Sequence, residues 1–119
     1  MVTNTALAQN SRFKIGWIIL VAFNALMLLM HFVLIFFLGE PVLFIGYTAF
    51  NFYALIVLLI PFRRIEKWAW LTTWILPIGL ALPASADPGI AMIYFGASAL
   101  LVLGLLLTMQ EFFSNRSGK

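Results

Sequence analysis

Apolar residues in this chain come in four long runs, and polar residues gather at the ends of the runs and in the three short connections between them. Within the runs there is no strict alternation of polar and apolar positions, so the strands of a β-barrel are not what the pattern describes. The runs are apolar throughout. A helix rising about 1.5 Å per residue needs roughly 20 such residues to cross a hydrocarbon core about 30 Å thick. The pattern therefore predicts spans over residues 15–38, 42–62, 68–82 and 90–113. Together they make an all-α, four-helix transmembrane bundle with short connecting turns, a single integral membrane domain over 1–119.

The connections carry the expected punctuation. In Gly39-Glu40-Pro41 the glycine ends one helix, and the proline opens the next at a position where its missing N–H costs nothing. Pro61 predicts the stop of the second span, because a proline pushes the preceding residue out of helix. The third span is short at about 15 residues, and Pro77 inside it predicts a kink with local tilt or thinning. Residues 83–89 read as the second outer turn. Residues 1–11 are polar and uncharged and predict a disordered tail, and residues 114–119 form a short tail at the other end. The first run, at about 24 residues, is too long for a cleaved signal core and is expected to stay as an anchor. No internal repeat is evident.

Charge then orients the bundle. Only 9% of the 119 residues are charged, against about 25% in a soluble domain, which leaves lipid as the solvent. All seven basic residues fall on one side: Arg12 and Lys14, then Arg63, Arg64 and Lys67, then Arg116 and Lys119. The other two connections hold Glu40 and Asp87 and no basic residue. The positive-inside rule puts both termini and the middle turn in the cytoplasm, N-in and C-in. The excess of +3 is spread over three ends, so it reads as topological rather than as a nucleic-acid patch.

Chemistry is sparse. The absence of cysteine removes disulfides, thiolate metal sites, iron–sulfur clusters and thiol nucleophiles. No carboxylate lies deep inside a span, Glu111 standing at the cytoplasmic end of the fourth; no nucleophile elbow or metal cluster is present, and Glu40 and Asp87 read as turn residues rather than an acid–base pair. Asn115-Arg116-Ser117 matches a glycosylation triplet but falls on the cytoplasmic side.

The polar residues inside the spans sort into two layers by helix rise. Asn24 lies about 13 Å from the cytoplasmic end of its span, near Asn51 at about 16 Å and Tyr53 at about 13 Å. His31 lies about 24 Å in, near Tyr47, Thr48 and Ser98 at about 21–23 Å. Asn24 and His31 are seven residues apart and share a face, as do Tyr47 or Thr48 with Asn51. Two readings follow. Hydrogen bonds between helices would hold the bundle together. Alternatively His31, Asn24, Tyr47, Thr48, Asn51 and Ser98 form a ligand pocket, since ionisable groups inside membranes mark function.

For His31, the only histidine, that ligand could be a tetrapyrrole held by one axial bond, or a quinone or lipid headgroup held by a hydrogen bond. A second axial ligand would have to be sulfur from Met27, Met30 or Met92. A proton path lacks the carboxylates it needs. Trp17, Trp68 and Trp70 fall where aromatic belts belong, with Trp74 one turn deeper. Gly96, Gly104 and Thr108 form a stripe of small residues on the fourth span, which predicts close approach of another helix, either the first span or another protein.

The run Arg64-Ile65-Glu66-Lys67-Trp68-Ala69-Trp70 resembles the turn that opens the third helix in the DoxX-like assortment of small four-helix bacterial membrane proteins. The resemblance covers those seven residues and the four-span layout. It implies a bacterial cytoplasmic (inner) membrane protein and assigns no functional residue, since this chain has no carboxylate deep inside a span.

Function is expected to be non-catalytic: an accessory or structural subunit of a larger membrane complex, in contact with lipid and with other subunits or itself. A membrane protein binding quinone, tetrapyrrole or lipid near His31 is the alternative, and a small oligomeric transporter the next. The topology is testable directly. Reporter fusions at Glu40 and Asp87 are expected outside and fusions at Lys67 and Lys119 inside; a fusion at Asp87 that reports inside removes one of the last two spans.

Overall fold

A computed structural model describes residues 4–114. Arg116, Lys119 and the Asn115 triplet lie outside the described residues. The described chain is helical, with no strand, in five segments: α1 (Asn4–Leu34), α2 (Pro41–Leu59), α3 (Lys67–Thr73), α4 (Ile75–Ala86) and α5 (Pro88–Phe113). With α3 and α4 taken as one interrupted span, four helices are long and apolar enough to cross a membrane: Ser11–Leu34, Pro41–Leu59, Lys67–Ala86 and Pro88–Phe113.

Each end differs from the pattern-based boundary for a local reason. Helix α1 already begins at Asn4, where a tail was expected, because residues 4–11 hold good helix formers and neither Gly nor Pro. It ends at Leu34 rather than 38. Residues 35–37 are apolar but form a tighter turn, with the Phe36 N–H on Val33 O at 3.1 Å and the Phe37 N–H on Leu34 O at 3.3 Å. Gly39 then takes a left-handed φ of +70°, the conformation that glycine adopts without strain. Pro41 opens α2 at its first position, and Glu40 caps nothing with its side chain.

The end of α2 shows how one proline is absorbed. Pro61 has no N–H to give the Val57 carbonyl, so the Phe62 N–H reaches back to it at 3.0 Å. That displaces Leu58 O from its helical donor. Trp17, from α1, donates its Nε1–H to Leu58 O at 2.8 Å. The Trp17 indole, expected in an interfacial belt, thus also caps a carbonyl of the neighbouring helix.

The third span is not short. It runs 20 residues, from Lys67 to Ala86, and its break falls at Trp74, one turn before Pro77. The proline ring collides with the carbonyl four residues earlier, Thr73 O, so the helix yields there rather than at the proline itself. Pro83, expected to start a turn, stays inside α4. The outer turn shrinks to Asp87, whose Oδ1 accepts from the Gly89 N–H at 2.9 Å while Pro88 opens α5.

Helix α1 lies at the centre, packed on α2 and on α5, and α5 in turn packs on α4. Helix α2 meets the third span at α3 but does not pack alongside α4. The end that carries the basic residues is closed by a solid core of Leu20, Leu58, Phe62, Leu101, Leu105, Trp70 and Phe112. There the Phe62 and Phe112 rings sit edge to face at 4.8 Å, and Trp70 donates to Leu105 O at 3.1 Å. Arg63 lies over the Trp17 ring at 5.2 Å and Lys67 over Phe113 at 5.7 Å. Trp68 stays exposed, and its Nε1–H bonds Glu66 Oε2 at 2.6 Å.

The crossing of α1 and α5 rests on two glycines. A Cβ on Gly16 would lie 2.6 Å from Gly104 O and 2.8 Å from Thr108 Cγ2, and one on Gly104 would lie 3.1 Å from Gly16 O. Gly104 and Thr108 therefore do serve helix packing, and their partner is the first span. Gly96 does not: nothing lies within 4 Å of its would-be Cβ, because its position on α5 faces outward, where there is no helix to meet.

Gly16→Ala is expected to destabilise the bundle by about 1–3 kcal/mol through overpacking. Gly96→Ala is expected to stay within about 0.5 kcal/mol of the parent. Denaturant titration in mixed micelles reads both, and equal effects would show that the helices do not cross this closely.

Candidate ligand cavity

Toward the end that carries Glu40 and Asp87, the four spans splay where α2 and α4 fail to meet. The space between them is a cavity of about 590 Å³, within the range of small-molecule sites. Its wall comes from the second half of α1, the first half of α2, α4 and the first half of α5. Most of the wall is apolar, including Phe23, Met27, Leu43, Phe44, Leu76 and Leu80. Leu43, Tyr47 and Phe50 of α2 and Ile75 of α4 line it and are also exposed, so the cavity opens sideways between α2 and α4.

Three of its polar residues, Asn24, Asn51 and His31, form one hydrogen-bonded chain across α1 and α2. Asn24 donates Nδ2–H to the backbone carbonyl of Asn51 at 2.8 Å. The Asn51 side-chain Nδ2 lies 2.8 Å from Tyr47 O and 2.8 Å from His31 Nδ1. Asn24, His31 and Asn51 are all buried, and the His31 ring packs on Tyr47 at 5.1 Å and on Phe44 at 6.2 Å between centroids. The two layers expected from helix rise are thus one, because side chains on antiparallel helices lean in opposite directions and close the gap.

The network sets the proton positions. If the Asn51 amide were reversed, its oxygen would face Tyr47 O, acceptor against acceptor, so Nδ2 is the group that points there. Asn51 then donates to His31 Nδ1, which must be unprotonated, and the ring carries its proton on Nε2. That tautomer does not suit axial ligation. A ligating histidine normally gives its second N–H to an acceptor and keeps the other nitrogen free for the metal. Of the candidate sulfurs, Met27 lines the cavity while Met30 and Met92 are exposed. The residues present do not fit a tetrapyrrole.

Asn24 is the exception to full pairing. The residue is only 1% exposed, and its Oδ1 has no hydrogen-bond partner. Reversing this amide would again set oxygen against oxygen at Asn51 O, so the orphan is an acceptor. A buried acceptor of this kind costs about 1–3 kcal/mol if nothing meets it.

Other candidates lie elsewhere. Thr48 returns its hydroxyl to Phe44 O at 2.7 Å within its own helix. Ser98 is buried between α5 and α4 and donates to Pro77 O at 2.8 Å; it belongs to packing and not to the cavity wall. Tyr53, placed beside the two asparagines by depth alone, is 59% exposed, since its position on α2 turns it away from α1. Sequence reasoning missed Phe44, Gly79, Pro83 and Tyr94, which line the cavity. The two prolines of the third span were the available signal, since they mark a helix that cannot pack evenly. Among the described residues no group of three His, Asp or Glu side chains is placed to hold a metal.

No protein-family model, curated protein or solved structure matches this chain. The functional reading therefore rests on the geometry of the cavity.

Nitrogen-15 NMR of histidine-labelled protein is expected to show His31 as the neutral tautomer protonated at Nε2. Asn51→Leu is expected to release that preference and to cost about 0.6–2 kcal/mol; a spectrum showing Nδ1–H would mean that the Asn51 amide is turned the other way.

Proposed function

We propose that this is an integral membrane protein that binds a lipophilic molecule in the cavity between its spans, admitted sideways from the bilayer. The observation that carries the reading is a cavity of about 590 Å³ that opens between α2 and α4 and whose wall includes His31, Asn51, Tyr47 and Tyr94. A wall that holds an oriented histidine and two tyrosines, yet stays mostly apolar, suits a molecule with an apolar body and a polar end. A lipid or a quinone-type molecule has that form. The sparse contact between α2 and α4 supplies a route that does not cross water.

The distribution of basic residues supports placing the protein in a cytoplasmic membrane with both termini inside, and the likeness of residues 64–70 to the DoxX-like turn points the same way. The cavity then opens in the outer half of the bilayer. Membership of a larger complex is the second reading. Its best argument was the stripe on α5, and two of its three residues are already used against α1. Transport would require the same cavity to open on the other side, where Phe62, Trp70 and Phe112 fill the core.

Gly79 offers a direct test. It lines the cavity, and a Cβ there would meet nothing within 4 Å, so Gly79→Leu should fill space without disturbing packing. The protein purified in mild detergent is expected to carry a lipophile that mass spectrometry of the extract identifies. Gly79→Leu is expected to lose it at least tenfold with stability unchanged; equal occupancy in parent and variant would move binding away from this cavity.

A further inference from the structure

Resting on that reading, we infer that the occupant is an uncharged long-chain lipid of the alcohol or glyceride kind, with its head at the level of His31, Tyr47 and Tyr94 and its chain running between α2 and the third span toward Val57. The head is argued from the wall. Tyr47 and Tyr94 each stand six residues after the proline that opens their helix, about 9 Å along it. His31 stands three residues before the end of α1. All three line the cavity, so they form one polar layer toward the end that carries Glu40 and Asp87. Asn51 occupies His31 Nδ1. Among the described residues Asn24 Oδ1 is the unpaired side-chain atom that is sealed off; His31 Nε2 is also unpaired but keeps accessible surface, so its N–H is open to an oxygen acceptor. Each tyrosine hydroxyl can give a bond or take one. No lining residue carries a charge. An ionised head would enter without a counter-charge, at a far greater cost than a hydroxyl or an ester that these groups can meet.

The chain is argued from a second, narrower space of about 80 Å³. It shares Phe50, Ile75 and Leu76 with the cavity and continues toward the basic end, where Ala54 and Val57 of α2 and Thr72 and Thr73 of α3 line it. Both threonines return their hydroxyls to their own helix, Thr72 to Trp68 O at 2.7 Å and Thr73 to Ala69 O at 2.6 Å, which leaves their methyl groups for the lining. Here too no lining residue is charged. From Leu43 in the cavity to Val57 in the narrow space α2 advances fourteen residues, about 21 Å. Phe50 and Ile75, shared by the two spaces, are exposed, so a chain passes from one to the other along the bilayer side without crossing the core. A polar layer at one end and an apolar track leading inward follow the order of head and chain in a lipid of the adjoining leaflet. Such a lipid enters sideways at its own depth and does not turn over. A compact lipophile would fill the cavity and leave the track empty.

The test compares three lipids that share an oleoyl chain and differ in the charge of the head: monoolein, neutral; oleoyl lysophosphatidic acid, anionic; and oleoylcholine, cationic. Each competes, by mole fraction in nanodiscs that hold the unmodified protein, against a fluorescent monoacylglycerol. Monoolein is expected to compete at least tenfold better than either charged lipid. A charged lipid that competes equally overturns the inference and leaves a general lipophile site. Failure of the monoacylglycerols to bind, while another lipophile co-purifies with the parent and is lost in Gly79→Leu, overturns the inference alone; if no lipophile depends on Gly79, the reading beneath it falls as well. The path of the chain is tested by Thr72→Trp, at an exposed position that lines the narrow space. It is expected to weaken monoolein at least fivefold and to leave monooctanoin, whose chain is too short to reach Val57, unchanged, which also shows that the variant is folded. Equal loss of both lipids in a variant that melts with the parent, or loss of neither, overturns that path. Should Thr72→Trp melt early, Tyr53→Trp, on the facing helix and also exposed, takes its place.

Discussion

A backbone carbonyl left without a donor inside a bilayer has no water to turn to, and this constraint governs the bundle. The chain places Pro61, Pro77 and Pro83 in or beside its spans, and each removes a donor from a carbonyl four residues earlier. The structure answers the first with a redirected amide and an indole cap from another helix. It answers the second by breaking the span at Trp74. The third lies in the cavity wall. Helix ends, the split in the third span and the placement of Trp17 are all consequences of finding partners for these groups.

The same constraint divides the molecule in two. At the basic end, Gly16 and Gly104 let α1 and α5 approach until backbone touches backbone, and aromatic rings fill what remains. At the other end the interrupted third span leans away from α2, and nothing from the protein fills the gap. Tight packing at one end is what makes the opening at the other usable: α1 and α5 are fixed against each other, so Asn24 and His31 are held on a firm wall. The Asn24–Asn51–His31 chain then joins α1 to α2, and the same three residues line the cavity. Asn51 spends its amide on holding helices together, while one oxygen of Asn24 has no partner.

Much of this was legible from residue order. Four apolar runs, the Gly-Glu-Pro turn and the proline stop of the second span all came through, because they depend on local chemistry that a window of a few residues contains. The pairing of Asn24 with Asn51 followed from depth and helical face, and so did the place of His31 near Tyr47. Errors came where depth was used without direction around the helix. Tyr53 and Gly96 sit at suitable heights and face outward; Ser98 faces inward but toward the wrong neighbour. Gly16 went unnoticed because a single glycine in an apolar run acquires meaning only when the facing helix is known.

By itself, then, the sequence determined that the chain is four apolar helices with its basic residues at one end, since both follow from composition along the chain and the width of a bilayer. It also picked out Asn24, His31, Tyr47 and Asn51 among the polar residues of the cavity wall, though not Tyr94. Only the tertiary structure decided that α2 and α4 part, that the first span takes up the small residues of α5, and that one oxygen of Asn24 stays unmet. Those outcomes depend on how helices rotate and cross, and apolar runs that are uniform around the helix carry almost no information about rotation.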